Sequence, residues 1–140
     1  LLFKRYELKP GRSAPDGFEP ADDPDPVTGK QPGWLPVTDA PDDRWHREAF
    51  ATLRTVVKNA TFELIGPKVQ GNPYGESEHR LVPHGETTID DCPQFFDGMR
   101  DFLTEHPMEG IVFWHDDGRR AKIKRRDFGL PWPIQGSRAD

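Results

Sequence analysis

Apolar and polar positions follow two different periods along the 140 residues, and each change of period marks an element. Residues 1–9 alternate loosely through Phe3, Tyr6 and Leu8 before Pro10-Gly11, the pattern of an edge strand running into a turn. Residues 10–43 carry too many prolines, glycines and carboxylates for a regular element and predict a long loop, with Trp34 and Leu35 docking it onto the body. Over 42–59 the period becomes 3.6, with Trp45, Ala49, Phe50, Leu53, Val56 and Val57 on one stripe, which predicts a helix packed on a sheet. Thr61 to Ile65 alternates again, with Glu63 opposite Phe62 and Leu64, and Leu81-Val82 suggests another short strand. A second helix is expected over 93–105: Pro93 suits its first turn, Phe95, Phe96, Met99, Phe102 and Leu103 mark one face, and Pro107 stops it. With no internal repeat or heptad run, strands interleaved with two helices predict an α+β domain, its helices packed on mainly antiparallel sheets.

The last element is a hairpin. "EGIVFWH" reads as a strand, Asp117-Gly118 as the turn and "RAKIKRR" as the return. A two-residue loop sets 116 opposite 119, hence 113 opposite 122, 111 opposite 124 and 109 opposite 126. One face then carries Glu109, Ile111, Phe113 and His115 with Lys122, Lys124 and Arg126. Val112, Trp114, Ala121 and Ile123 form the expected core face.

Composition narrows this picture. A chain of this size buries roughly 68–70% of its unfolded surface, enough for one domain. The formal net charge of −5 rules out a polycation that wraps nucleic acid by bulk attraction. Basic character is instead local, six cations in the eight positions of "RRAKIKRR". Lone Cys92 forms no internal disulfide and reads as structural, so a reducing, cytoplasmic setting is expected. No apolar run approaches the ~18 residues of a membrane span, and "LLFKRYELKPG" gains charge too early for a signal peptide. "TGK" lacks the phosphate-loop spacing. His46, His79, His84 and His106 offer no i, i+4 pair for zinc, and the glycosylation match at Asn59 reads as chance.

Read by periodicity alone, the Glu109, Lys122 and Lys124 face is most simply a solvated one with an ordinary cross-strand ion pair. The same residue types also suit phosphoryl or nucleotidyl transfer. Alternate lysines on a strand lie roughly 6.6–6.8 Å apart and can straddle a phosphoanhydride, while a nearby carboxylate can hold Mg²⁺ together with phosphate oxygens and water.

"EGIVFWH" and "KIKRRDFG" resemble motifs IV (E-G-h-V, h apolar) and V (K-x-K) of the covalent nucleotidyltransferases: DNA ligases, RNA ligases and mRNA capping enzymes. "TFELIGPKVQGNPYG" (61–75) is similar to motif III in the form of an ATP-dependent RNA ligase branch. Each pattern is weak alone, but the three occur in the family's order over most of the chain. The resemblance implies part of the nucleotidyltransferase domain (the ATP-grasp-like DNA/RNA ligase domain). The activity it implies joins 5′-phosphate to 3′-hydroxyl ends through lysyl-AMP and AMP-capped intermediates, with ATP as AMP donor and Mg²⁺ as cofactor. RNA ends would be the partner, with DNA ends as the alternative, and RNA repair the setting. It further implies that Glu109 binds Mg²⁺, that Lys122 and Lys124 contact the α-phosphate, that Glu63 reaches the ribose or a metal-bound water, and that Arg5 holds a phosphate or the nucleic-acid end.

The family's K-x-D-G nucleophile motif is missing: "PDGF" (15–18) has no lysine two residues before its Asp. The expectation is a domain truncated before Leu1, a C-terminal portion unable to adenylylate itself. Two other readings remain open: a non-catalytic single-stranded nucleic-acid module stacking bases on Phe113, Trp114 and Phe128, and an interaction domain docking through Trp132 in "GLPWP".

Overall fold

A computed structural model describes residues 1–54 and 60–134. It is a mixed helix and strand architecture with small antiparallel sheets, in keeping with the α+β expectation. Among the described residues no helix is long and apolar enough to cross a membrane.

Strand β1 (Phe3–Leu8) lies at the edge of a three-stranded sheet. Its partners come from the segment expected to be a loop: β2 (Glu19–Pro20) and β3 (Gln31–Pro36) give the order β1-β3-β2. The prolines that argued against strands lie near the ends of β3, where β2 is too short to cover it. Gly33 is required at the centre, since a Cβ there would lie 2.3 Å from the Phe18 ring and 2.6 Å from the Glu19 carbonyl oxygen. Tyr6 closes the sheet edge-on against Phe18, with ring centroids 5.9 Å apart.

A 3-10 turn (Pro41–Asp43) leads into α1 (Arg44–Ala51). The helix is shorter than the periodicity suggests: Thr52 closes it, Phe50 is exposed, and Val56 and Val57 lie outside the described residues. Its hidden side is Ala49, fully buried, and Trp45, which stacks on His79 at 4.4 Å. Buried Asp43 fastens this helix to β1. It accepts hydrogen bonds from the Lys4 ammonium, the Thr38 N–H (2.8 Å) and the Thr38 hydroxyl (2.9 Å). Burial raises the Asp43 pKa, but these donors outweigh it and hold the carboxyl at about 2.

β4 (Phe62–Ile65) pairs with β5 (Arg80–Pro83) as a separate sheet under α1. His79, just before β5, is buried. Its Nε2 accepts the Lys68 N–H at 3.3 Å and its Nδ1 donates to Glu48 at 2.8 Å, so it is a structural clamp. Helix α2 (Phe96–Glu105) starts three residues after the expected position. Leu103 is its buried residue, whereas Phe95 and Phe96 are exposed, against the one-face expectation.

The third sheet is the hairpin β6 (Gly110–Trp114) and β7 (Arg120–Lys124). Its register differs by one from the expected pairing: Gly110 faces Lys124, Val112 faces Lys122 and Trp114 faces Arg120. The loop has three residues, Asp116, Asp117 and Gly118. His115 N–H donates to the Arg119 carbonyl (2.9 Å), Gly118 N–H donates to the His115 carbonyl (2.9 Å), and Gly118 adopts φ +89°. An odd loop length reverses the parity of every pair. The buried face is therefore Ile111 (4% exposed) with Ile123, and the face expected to be core holds exposed Val112 and Trp114. Phe113 lies on the Ile111 side, half-buried, away from the lysines.

Candidate functional site

The site forms where the hairpin ladder ends. After Lys124 the chain enters a 3-10 turn (Arg125–Phe128) closed by Gly129 at φ +71°. The Arg125 N–H donates to the Glu109 carbonyl (2.9 Å) and the Lys124 N–H to Asp127 Oδ2 (2.7 Å). Strict alternation would put Glu109 on the Ile111 side. Because it precedes the strand proper, its carboxylate reaches around to Lys124, with Nζ to Oε1 at 2.5 Å. The expected Glu109–Arg126 pairing is thus replaced by Glu109–Lys124.

Glu109, Lys124, Arg126 and Trp132 line a cleft of about 100 Å³. That is smaller than the ~300 Å³ at which whole-ligand pockets begin, so by itself it can receive only a small anionic group or one end of a larger ligand. A hollow of about 320 Å³ between Asp22, Asp23, Asp25 and nearby prolines is walled by carboxylates, and Asp25 is already occupied with the Val27 and Thr28 N–H groups and the Thr28 hydroxyl. Its charge repels phosphate.

The remaining expected site residues divide. Lys122 is exposed on the same face as Lys124. Glu63 projects from β4, with a carboxylate oxygen 3.5 Å from His84 Nε2. Arg5 is exposed on β1, in a different sheet, opposite Trp34. Among the described residues no hydrogen bond or ion pair joins Arg5 to Glu109, Lys122 or Lys124.

Tyr74 lies within reach of the charges of both Glu63 and Glu109, and sequence reasoning did not single it out. It comes from "GNPYG", stands 5.6 Å centroid to centroid from Trp132 and has the Glu109 backbone N–H and carboxylate nearby. Burial pushes its phenol pKa up, the Glu109 and Glu63 carboxylates push the same way, and the Glu109 N–H opposes them. A tyrosine amid small turn residues, just after a Glu-bearing strand, was the available signal. Arg125 was also missed, because one cation inside a basic run reads as solvated. It is 5% exposed, and its guanidinium donates to the carbonyls of Leu103, His106 (3.2 Å) and Pro131 (2.9 Å). It caps the end of α2 and takes no part in the cleft.

Among the described residues no three His, Cys, Asp or Glu side chains converge on one point. Glu109 supplies a single carboxylate, a donor set that would fit Mg²⁺ where one or two carboxylates are completed by substrate phosphates and water. It does not suit a metal that needs an all-protein cage.

A family model described as RNA ligase 1 matches residues 49–139. RNA ligase 1 of Pongo abelii is 35% identical over 107 residues, covering 67% of this chain and 32% of the relative. RNA ligase 1 of Rattus norvegicus is 31% identical over 168 aligned positions, covering 94% and 47%, and that of Danio rerio 42% identical over 83 residues, covering 53% and 26%. The chain spans about half the length, or less, of these curated relatives.

Proposed function

Because the chain belongs to the RNA ligase 1 family, we propose that it is the C-terminal portion of an ATP-dependent RNA ligase with a nucleotidyltransferase domain, and that it handles the nucleotide's α-phosphate. The observation that carries this reading is the Glu109–Lys124 contact in a cleft also lined by Arg126 and Trp132, with Tyr74 packed on Trp132. Lys124 is held at the right place by Glu109, ready to exchange that carboxylate for a phosphate oxygen. Lys122 stands one alternate position away, roughly 6.6–6.8 Å along the strand, and offers a second charge to the same substrate.

In the proposed reaction a lysine amine attacks the α-phosphorus of ATP, and pyrophosphate leaves with the broken anhydride bond. The AMP then passes to an RNA 5′-phosphate, and a 3′-hydroxyl displaces AMP to form the new phosphodiester. Lys124 and Lys122 stabilise negative charge as each leaving group departs. Mg²⁺ held at Glu109 would neutralise phosphate charge during these steps. Glu63, whose charge is felt at Tyr74, would fit a ribose hydroxyl or a metal-bound water. Arg5 keeps a role with RNA only if the strand extends to the first sheet.

These 140 residues contain no K-x-D-G lysine, so incubation with labelled ATP and Mg²⁺ should leave them unlabelled. In a chain that includes the lysine motif, Lys124→Ala or Glu109→Ala should lower sealing by orders of magnitude with the fold retained. Near-normal sealing by either variant would overturn the assignment.

A further inference from the structure

We propose that the outer face of the hairpin is a base-stacking platform for single-stranded RNA, centred on Trp114 and Arg120. This inference rests on the RNA ligase reading and extends it from the reacting phosphate to the strand beside it.

The three-residue loop turns the bulkiest aromatic of the hairpin outward. Trp114 is 52% exposed and Val112 47%. The Arg120 guanidinium lies 3.8 Å from the centroid of the Trp114 ring, giving two layered planar groups at the hairpin tip. RNA bases stack on indole rings and on guanidinium planes with little regard to sequence.

Charge points to the same occupant. Arg120, Lys122 and Lys124 occupy alternate positions of β7, so their side chains share the face of Val112 and Trp114. Among the described residues no ion pair joins Arg120 or Lys122 to a carboxylate: Asp117 of the loop is engaged with Arg119 and His115, and Glu109 meets the row only at its far end, at Lys124. In a chain of net charge −5, a row of three cations attracts a polyanion locally. The row ends inside the cleft assigned to the reacting phosphate, so a strand whose terminus lies at Lys124 passes Lys122 and reaches Trp114 with its flanking bases. A protein partner docking on Val112 and Trp114 alone would leave the cation row unpaired.

The test measures binding of a short, unstructured, dye-labelled oligoribonucleotide by fluorescence anisotropy, with ATP binding measured in parallel. Trp114→Ala should weaken RNA binding roughly ten-fold or more, Trp114→Phe should retain most of it, and ATP binding should not change. A 2-aminopurine base in the RNA should be quenched by the parent and by Trp114→Phe, but not by Trp114→Ala. Arg120→Gln should weaken binding and reduce the salt slope by about one. Unchanged RNA affinity in Trp114→Ala would overturn the platform. So would equal loss of RNA and ATP, which assigns Trp114 to the nucleotide, or a self-associating parent that Trp114→Ala makes monomeric, which assigns the face to a second copy. Lys124→Ala separates the two levels: if it abolishes ATP binding while Trp114→Ala leaves RNA binding intact, the ligase reading survives and the platform falls. If RNA binding depends on Trp114 but ATP never binds, the reverse holds.

Discussion

Asp43 and Arg125 show how two charged side chains can be structural in a chain whose charge otherwise serves the surface. Asp43 has a folded pKa of about 2 against 3.8 for the free side chain. A depressed carboxyl stabilises the fold fully above the unfolded value and ceases to do so as pH falls through the folded one. The gap corresponds to about 2 kcal/mol. Asp43→Asn should therefore be less stable at neutral pH, and the difference should close between about pH 4 and pH 2, as followed by urea unfolding across that range. Arg125→Ala leaves the carbonyls of Leu103, His106 and Pro131 without this donor. A loss of about 3 kcal/mol is expected in the same assay, whereas Arg126→Ala, exposed at the cleft, should change stability by under about 0.5 kcal/mol. Neither role was legible in the sequence. Burial of a charged side chain depends on which distant carbonyls and hydroxyls meet it, and these come from residues up to 39 positions away for Asp43 and 22 for Arg125.

At the level of elements, the hairpin shows where pattern reading succeeds and where it stops. Its two strands, and the turn at Asp117-Gly118, follow from "EGIVFWHDDGRRAKIK" alone. Which face is buried does not, because Val112 and Trp114 are as apolar as Ile111 and Phe113, and only loop length decides between them. Gly118 sets that length through its left-handed backbone. Gly118→Ala should cost about 1–2 kcal/mol, read as a lowered melting temperature. The strand in Gln31–Pro36 was hidden for a different reason: prolines that exclude a central strand are tolerated where the neighbouring strand is only two residues long. α2 was legible from its apolar spacing and flanking prolines, but its exposed Phe95 and Phe96 were not.

Across the whole molecule, the candidate site combines an early and a late part of the sequence. Lys124, Glu109 and Trp132 come from the C-terminal third, Tyr74 and Glu63 from the β4–β5 region. The family motifs named Glu63, Glu109 and both lysines because each motif is a local string. Tyr74 was not recovered because its value lies in a contact across 35 residues. Tyr74→Phe keeps the ring beside Trp132 and removes only the hydroxyl that lies near Glu109. Among chains carrying the lysine motif, it should reduce sealing several-fold, less than Glu109→Ala, with melting little changed.

Arg125 adjoins Lys124 in the chain while gripping the last turn of α2, and its own carbonyl accepts the Leu130 N–H at 2.9 Å. The helix end and the corner at Lys124 are therefore expected to open together. In hydrogen exchange, the amides of His106 and Leu130 should open at matched rates, so that fraying the helix from outside also loosens the Glu109–Lys124 corner.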